Sequence, residues 1–531
     1  MITRRTFLQS ASSAALLLYA RKGRAASKMD ATCFSVHPFV ENHPDAVFVL
    51  RTSITQKTDS ADIWTAGLGL GRSLFGLSDP GPGAVPLDSE IAIKPNITCR
   101  DSSDSRYTTL GTMGIVTDSN FVGGLIDSLK ELGVAGSRIS IREVNCSSEF
   151  AEGGYPQMCE RTGAQIGDFS NPVGVLPEDS IIWKDVPEGV WFNRIPYLRP
   201  VNTPGSWLLN VAKFKTHAMG LTLCAKNIQG TIVHNYQAHC TALGDAWPIR
   251  PADIRAGAEE TIRAMYARHC AVGIPRWDRP EANGGLWMEA WAARCLDNNS
   301  VTVPGLHIVE GIYGRDGHFI DGPGPGGLAT DYMTNIIIFG KNQFHVDNIG
   351  HWLAGHEPGN FGLFHLAIER KLATILNPSG IPLYEWKSDG SAAKIDLGSL
   401  TRTPLKTGYL RRDYNGQQED QWHLVNEPYL YGTDAVSIQP SRPPEATVLA
   451  QNYPNPFNGT TSIQYSIPEG GNVSLQIFDA QGALVDRLEG GYRMAGTHLA
   501  RWTSNERPSG IYFCRLVYKG YTAVTRMILI R

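Results

Sequence analysis

The sequence predicts an α/β protein with a mostly parallel sheet flanked by helices, followed by a small all-β, immunoglobulin-like sandwich. Three observations lead to this prediction. Apolar segments of strand length alternate with helical segments between residues 30 and about 430. A proline-rich stretch then interrupts the pattern, and short alternating runs separated by glycine turns follow it. The length of 531 residues also exceeds what one core fills, so two or more folded units are expected.

The composition is that of an ordinary globular protein. Hydrophobic residues make up 42% and charged residues 19% of the chain, and the formal net charge is -3, which excludes a disordered or polyelectrolyte chain. No long basic run is present, so binding to nucleic acid or to an anionic membrane is not expected. The nine cysteines form no C-x-x-C pair, which excludes an iron–sulfur run or a zinc ribbon.

Residues 1–27 have the layout of a signal peptide, with a charged start, a short apolar stretch and small residues. The apolar stretch, residues 11–20, is far shorter than the roughly 20 residues of a spanning helix, so no permanent transmembrane segment is expected. Arg4 and Arg5, within TRRTFL, resemble the twin-arginine translocation consensus. The twin-arginine translocase is therefore an expected partner. We expect the protein to pass through the periplasm during export.

Residues 28–430 form the predicted α/β domain. A GLGLG run at 67–71 only partly matches a dinucleotide-binding loop, and a flexible loop or close helix packing explains it better. No G-x-S-x-G elbow and no phosphate-binding P-loop motif is present, which argues against a Ser-His-Asp hydrolase and a nucleotide hydrolase. The strand candidates are residues 46–51, 90–96, 138–144, 206–214, 306–312 and 335–340.

Two helices of this domain have clear sequence signals. Ser119–Leu132 is amphipathic, with Asp118 or Ser119 able to cap its start and Gly133 ending it. Pro251–Cys270 has proline in its first turn, where a missing N–H costs nothing. Both segments are predicted to be continuous helices.

Polar residues concentrate where the predicted strands end. In open α/β sheets, ligands bind beyond the carboxyl ends of the strands, because loops converge there and helix N-termini point inward. Lys94 and Asn96 lie at the end of one strand, which Pro95 helps to terminate, and Glu143 ends the next. Lys94 and Asn96 are therefore candidate ligand-binding residues, and Glu143 is a candidate catalytic acid.

The segment NVAKFKTH carries the strongest signal. Because side chains alternate along a strand, Lys213, Lys215 and His217 share one face, while Phe214 and Thr216 take the other. Same-face neighbours are about 7 Å apart, so the two ammonium groups repel each other and favour a bound anion or a lowered lysine pKa. The alternative is a solvated strand edge whose lysines point into water.

Lys226 and Asn227, in the following AKNIQG segment, add another cation and an amide to the candidate ligand-binding set. In a catalytic interpretation, Lys213 or Lys215 is the electrophilic or Schiff-base lysine and His217 is a proton shuttle. Glu143 or Asp347 is then the acid or a ligand.

The last part of the chain is a separate module, residues 451–531, after a linker at 431–450. Four of its segments resemble the type IX secretion sorting domain, also called the Por secretion tail: QNYPNPFN (451–458), FDAQGALV (478–485), AGTH (495–498) and SGIYFCRL (509–516). The resemblance implies type IX secretion machinery as a partner and delivery to the cell surface or the extracellular space. The alternative is an immunoglobulin-like accessory domain of the flagellar-hook-cap type.

The central region, roughly residues 45–375, resembles the domain of unknown function family 362. The resemblance rests on ordered motifs: IAIKPN (91–96), TDSNFVGGLIDSLKELG (117–133), ISIREV (139–144), NVAKFKTH (210–217), AKNIQG (225–230), IVEGIYGRDG (308–317), DGPGPGG (321–327) and FHVDNIGHWLAG (344–355). Many members are fused to or encoded with ferredoxin-type modules, whose cysteines this chain lacks. The resemblance highlights Lys94, Asn96, Glu143, Lys213, Lys215, His217, Lys226, Asn227, His239, Glu310 and Asp347.

A metal site is a further expectation. His239, Glu310 and Asp347 are the candidate metal ligands, although Glu310 stands where the family usually has aspartate. Other histidines cluster around Asp347, but neither cluster has a recognised zinc spacing. The competing interpretation is that these histidines are hydrogen-bonded within a core. The cofactor therefore stays open, with a divalent metal as the candidate.

These observations predict an exported protein that binds an anionic small molecule at lysine-rich strand ends, and they leave open whether it also transforms this molecule. Two alternatives stay open at this point. One is a surface binding or interaction protein without turnover, and the other is a redox-associated protein that works with a partner iron–sulfur protein.

Overall fold

The computed structural model describes most of the chain. The described residues are 32–97, 114–143, 153–167, 171–236, 249–278, 284–414, 417–431, 446–452, 454–469, 471–493, 496–505 and 507–530. The predicted signal peptide and the metal candidate His239 lie outside these ranges.

The central region is built on one large sheet. The strands of the region are β1 Cys33–Val36, β2 Val47–Arg51, β3 Phe75–Ser78, β4 Val85–Pro86, β5 Ile91–Pro95, β6 Ile139–Ile141, β7 Ile181–Asp185, β8 Arg194–Leu198, β9 Trp207–His217, β10 Gly220–Thr222, β11 Leu306–Arg315, β12 Asp331–Gly340, β13 Leu383–Trp386, β14 Ala392–Lys394, β15 Asp413–Tyr414 and β16 Gln417–Gln418. The helices are α1 Pro38–Glu41, α2 Ser60–Leu74, α3 Ser119–Glu131, α4 Tyr155–Thr162, α5 Cys224–Asn227, α6 Ala258–Ala271, α7 Gly285–Val301, α8 Gln343–Leu353 and α9 Gly362–Glu369.

Nine strands form the main sheet in the order β14-β13-β2-β12-β11-β9-β5-β6, with β10 paired to β9. Strands β6, β5, β9 and β11 are mutually parallel, whereas β12 runs antiparallel between β11 and β2. Helices α2 and α3 cover one face, and α8 and α5 cover the other. The predicted α/β class with a mostly parallel sheet is confirmed.

The GLGLG run lies inside α2 and brings this helix close to α3. A Cβ atom on Gly67 would lie 2.2 Å from the backbone oxygen of Phe121, and one on Gly124 would lie 2.3 Å from that of Trp64. Only glycine permits backbones to approach this closely. The helix-packing interpretation of residues 67–71 is therefore confirmed.

The helix predicted from Ser119 is confirmed, with Asp118 accepting a hydrogen bond from the Asn120 amide at its start. The single helix predicted over Pro251–Cys270 is wrong. A 3₁₀ turn covers Pro251–Asp253, and α6 begins only after Gly257, whose φ of 70° breaks the helical path. Proline thus starts a separate turn here.

The C-terminal region forms an antiparallel β-sandwich. Its strands are β17 Val448–Leu449, β18 Thr460–Ile467, β19 Gly471–Asp479, β20 Leu484–Arg493, β21 Gly496–Thr503, β22 Gly510–Tyr518 and β23 Tyr521–Leu529. They form the sheets β17-β18-β21 and β20-β19-β22-β23 around a shared apolar core. Cys514 is fully buried in this core as a small hydrophobic residue, and the predicted all-β sandwich is confirmed.

Candidate functional site

The parallel strands β5, β6, β9 and β11 are neighbours, so their carboxyl ends share one edge of the sheet. Lys94 is the second-last residue of β5, Glu143 follows β6 by two residues, and His217 ends β9. Strand-end residues predicted from separate parts of the sequence therefore meet in one region.

The first group of contacts at this edge centres on Lys94. Its Nζ donates to Glu143 Oε2 at 2.6 Å, to Asn227 Oδ1 at 3.1 Å and to the carbonyl of Pro95 at 2.7 Å. Asn227 donates in turn to Asn210 Oδ1 at 2.7 Å. Lys94 and Glu143 are both almost fully buried, so the ion pair is held by a desolvated polar network.

Gly230 lies against the Lys94–Glu143 pair. A Cβ atom at this position would lie 1.8 Å from Glu143 Oε1 and 2.6 Å from Lys94 Cε. Any larger residue at position 230 would collide with the ion pair, so this position requires glycine.

The second group lies on the opposite face of the sheet. Lys213 Nζ donates to Glu310 Oε2 at 2.7 Å and lies 3.3 Å from the ring centre of Tyr313. The Tyr313 hydroxyl donates to Asp118 Oδ2 at 2.9 Å. Side chains alternate along β9, so Lys213 and Asn210, three residues apart, lie on opposite faces of the sheet. Lys94 pairs with Asn210 and shares its face, so the side chains of Lys94 and Lys213 also lie on opposite faces.

Burial dominates the electrostatics of this second group. It lowers the pKa of Lys213, although Glu310 acts in the opposite direction. It also raises the pKa of Glu310, against the effect of Lys213. Both side chains are fully buried and bonded to each other. The predicted lowering of a lysine pKa thus has a physical basis in desolvation.

The third group is a pair of histidines beside two lysines. His217 Nδ1 accepts from the Met219 amide at 3.2 Å, so a neutral His217 carries its proton on Nε2. This Nε2–H then donates to Nε2 of His318 at 3.2 Å. His318 follows β11 in the GRDGHF segment; sequence reasoning missed it, although its place after a strand end was a usable signal.

Lys215 and Lys226 both act on this histidine pair. Burial, followed by the charges of Lys226, His318 and Lys215, holds the pKa of His217 well below its ordinary value. Burial is the main cause that lowers the pKa of His318 to about 3, and the charges of Lys215 and Lys226 contribute to the same lowering. Both imidazoles are therefore neutral at neutral pH, and the charges of both lysines favour this neutral form.

A narrow pocket adjoins this region at Lys226. Its walls are mostly aromatic or aliphatic: Met219, Leu221, Trp277, Trp291, Phe361, Leu363, Phe364 and Tyr409, with Asp347 and His351 as further polar members. The open space inside is close to that of about one water molecule. Only a group of one or two heavy atoms can enter without movement of the walls.

Asp347 on α8 binds the start of α5 through two backbone amides and the Cys224 side chain. Its two oxygens accept from the amides of Cys224 at 2.7 Å and Ala225 at 2.8 Å, at the start of α5. Burial raises the pKa of Asp347 to about 7, against the effect of these amides. Asn96 is also bonded locally, donating through Nδ2 to the Ile115 carbonyl at 2.6 Å.

The family models assign the two regions. The model described as Domain of unknown function (DUF362) matches residues 91–351. The central region is a DUF362 domain. The model described as Secretion system C-terminal sorting domain matches residues 451–531. This tail indicates export to the cell surface or the extracellular space and involvement of the type IX secretion machinery.

Solved structures show only local similarity. Dimeric latent PorU from Porphyromonas gingivalis is 19% identical over 16% of this chain and 9% of its own (TM-score 0.14). PorZ of the type IX secretion system of the same organism is 17% identical over 28% and 20% (TM-score 0.13). Alkylpurine DNA glycosylase AlkC from Pseudomonas fluorescens, bound to DNA with an abasic site analogue, is 13% identical over 16% and 29% (TM-score 0.12).

The chain thus spans less than a third of each of these structures, and TM-scores of this size support no inference about fold or function. No curated protein matches the chain. In the described residues, no helix is long and apolar enough to cross a membrane.

In the DUF362 domain, the predicted metal ligands do not form a recognisable centre among the described residues. No group of three or more His, Cys, Asp or Glu side chains in the described ranges is arranged to hold a metal ion. Glu310 is bonded to Lys213 and Asp347 to backbone amides, while His239 lies outside the described residues. The metal site therefore stays a prediction.

The other histidines near Asp347 are bonded within the core of the DUF362 domain. His345 contacts the Asp45 carbonyl at 2.9 Å, His351 the Asp347 carbonyl at 2.8 Å, and His356 the Val425 amide at 3.1 Å. Burial lowers the pKa of each of the three. These contacts agree with the competing interpretation of structural histidines.

Proposed function

We propose that this exported protein binds a small anion at the strand ends of its DUF362 domain, between Lys215, Lys226 and the His217–His318 pair. The observation that carries the proposal is the contact of 3.2 Å between His217 Nε2 and His318 Nε2, which lies beside Lys215 on β9. The charges of Lys215 and Lys226 act on both of these rings. Lys215 is fully buried on β9. A positive charge in a buried environment of low dielectric constant attracts an anion more strongly than the same charge in water does.

The contacts of Lys94 and Lys213 support a structural role for these two candidate lysines. Lys94 and Lys213 each donate to a buried carboxylate, so their charges are largely balanced within the protein. Glu143 and Glu310 accordingly stabilise the edge of the sheet. We place the anion beside Lys215 and Lys226 because the charges of both lysines act on His217 and His318, and His217 contributes a neutral imidazole.

Isothermal titration calorimetry tests the proposal. It measures the binding of inorganic phosphate, sulfate and acetate to the full secreted chain. Lys215→Met and Lys226→Met should each weaken binding by about tenfold or more, because each removes a charge-assisted hydrogen bond. Lys394→Met, at an exposed position of β14, is the matched control and should leave affinity unchanged. Unchanged affinity in both site variants would show that the anion does not bind here.

Whether the bound molecule is also transformed depends on a reactive lysine. The candidate roles are those of Lys213 or Lys215 as the electrophilic lysine, His217 as proton shuttle, and Glu143 or Asp347 as the acid. An enzyme lysine should titrate well below 10, whereas a plain anion-binding lysine stays charged. Lysine titration followed by NMR therefore separates an enzyme from a non-catalytic surface binding protein.

The metal hypothesis has its own test. Elemental analysis of protein purified from its own host would reveal a stoichiometric divalent metal, and Asp347→Asn should remove it if Asp347 is a ligand. Visible absorption tests the redox alternative, because protein associated with an iron–sulfur partner would be coloured.

We also propose that export begins at the twin-arginine translocase. The support is the Arg4–Arg5 pair in the N-terminal segment. Replacing both residues by lysine should retain the protein in the cytoplasm, as measured by cell fractionation, and normal export of this variant would contradict the proposed route.

A further inference from the structure

Two exposed arginines lie against one tryptophan at the β7–β8 hairpin. Trp183 is on β7, Arg194 is on β8, and Arg250 precedes the 3₁₀ turn Pro251–Asp253. The guanidinium carbons of Arg194 and Arg250 lie 4.6 and 4.4 Å from the ring centre of Trp183, so at most 9.0 Å separates them. The side chains of the two arginines are 39% and 52% exposed. Both charged groups are therefore held near each other at the surface.

A buried carboxylate fixes the position of both arginines. Asp253 Oδ1 accepts a hydrogen bond from Arg194 Nε at 2.5 Å. Its Oδ2 accepts from Arg250 Nε at 2.8 Å and from the Tyr236 hydroxyl at 2.5 Å. Burial alone would raise the pKa of Asp253, but its three hydrogen-bond donors outweigh burial and lower the pKa. Asp253 is therefore charged at neutral pH, and its single negative charge balances only one of the two guanidinium charges.

The terminal nitrogens of both arginines remain available to a ligand. In the part of the chain that the structure describes, the side chains of Arg194 and Arg250 donate hydrogen bonds only through Nε. Asp185 lies opposite Arg194 in the hairpin register, but these two described residues form no ion pair. Guanidinium groups form strong, charge-assisted hydrogen bonds to oxyanions. Because the two groups are already fixed, little side-chain entropy is lost when an anion binds to them.

The number of donors indicates the kind of anion. A carboxylate uses both of its oxygens on one guanidinium group. A sulfate or phosphate group has further oxygens and accepts from two guanidinium groups at once. We infer that Arg194 and Arg250 together bind one sulfate or phosphate group of an extracellular ligand. This site shares no residue with the anion site of the proposed function, and the inference does not depend on that function.

Binding of the full secreted chain to immobilised dextran sulfate tests the inference, with neutral dextran as the blank surface. Arg194→Gln and Arg250→Gln should each weaken binding by about tenfold, because each removes charge-assisted hydrogen bonds. Arg263→Gln is the matched control, since it removes a guanidinium group of similar exposure that pairs with Glu259 on the same helix. It should leave the affinity unchanged. Carboxymethyl dextran should bind about tenfold more weakly than dextran sulfate.

Equal weakening by Arg263→Gln would show a general charge attraction and would overturn the site. Equal affinity for carboxymethyl dextran would overturn the preference for sulfate or phosphate. If Lys215→Met abolished binding while both arginine variants bound normally, the anion would belong to the strand ends. That result would refute this inference and keep the proposed function.

Labelling of arginines by phenylglyoxal, read by mass spectrometry, tests the same site in the unmodified protein and decides the matter if an arginine variant does not fold. Dextran sulfate should slow the labelling of Arg194 and Arg250 severalfold and leave that of Arg263 unchanged. Equal protection by inorganic sulfate or phosphate would identify the free ion as a sufficient ligand, whereas protection by the polymer alone would identify a polymer-borne group. Absence of protection by the polymer and by both ions would overturn the inference.

Discussion

His269 joins three helices through two carboxylates. From α6, its Nδ1 donates to Glu289 of α7 at 2.8 Å and its Nε2 donates to Glu369 of α9 at 2.8 Å. A carboxylate beside each ring nitrogen favours the protonated imidazolium, in which both nitrogens donate. Glu289 is fully buried and also accepts from Trp277. Replacing His269 by phenylalanine should therefore leave a buried carboxylate without its charge partner.

The expected cost of His269→Phe is about 3–5 kcal/mol in the free energy of unfolding, the usual range when one partner of a buried ion pair is removed. Glu369→Gln should cost less, because Glu369 is about one-fifth exposed and glutamine still accepts a hydrogen bond. Differential scanning calorimetry is the appropriate assay, since it resolves the transitions of a chain with separate folded units.

The same contacts make the stability of this region depend on pH in two directions. Burial alone would lower the pKa of His269, but Glu289 and Glu369 outweigh it and raise the pKa above its ordinary value. Burial alone would raise the pKa of Glu369, but His269 and Arg268 outweigh it and lower the pKa to about 2. The histidine contribution is complete below about pH 6.5 and is lost as the pH rises through the raised pKa. The glutamate contribution is complete above about pH 4.3 and is lost as the pH falls towards 2.

The difference in stability between the unmodified protein and His269→Phe should therefore be largest between about pH 4.5 and 6.5 and shrink at pH 9. His43→Phe, whose ring contacts the Phe39 carbonyl instead of a carboxylate, should show no such window. A transition temperature of His269→Phe equal to that of the unmodified protein at pH 5.5 would refute this account of the three-helix junction.

Three further outcomes are expected. Gly230→Ala should lower the thermal transition of the DUF362 domain by several degrees, because the added Cβ collides with Glu143 Oε1; an unchanged transition would contradict the close approach. Gly67→Ala should destabilise the domain by about 1–3 kcal/mol in calorimetry, since the new methyl meets the fixed backbone oxygen of Phe121 rather than a movable side chain. Deletion of residues 451–531 should keep the protein from the cell surface while the central domain folds normally, as measured by surface labelling and circular dichroism.

The sequence predicted what depends on local periodicity. Alternation along NVAKFKTH placed Lys213 on one face and Phe214 on the other, and the structure places Phe214 in the opposite core, as expected. The carboxyl ends of β5, β6 and β9 could be predicted to meet because parallel neighbours share an edge. The sandwich fold of the tail was equally visible in its alternating strands.

Pairings between distant residues could not be predicted in the same way. Nothing in the local pattern shows that Lys213 is bonded to Glu310, or that Lys94 and Lys213 leave opposite faces of the sheet, because both depend on which strands become neighbours. The break before α6 depends on the backbone angle of Gly257, which the helical pattern of the flanking residues concealed. His318 was missed because it lies in the loop after β11, about 100 residues beyond its partner His217 on β9.

The position of β2 in the sheet constrains how the chain folds as it is synthesised. Val47 pairs with Gly340 on one side and with Leu383 on the other. Strand β2 is therefore synthesised about 290 residues before the first of these pairing residues. Closing such long loops is entropically costly and slows folding. Until β12 has been made, both edges of β2 are open to other chains, and one edge stays open until β13 has also been made. Nascent protein would therefore depend on chaperones to prevent edge-to-edge aggregation.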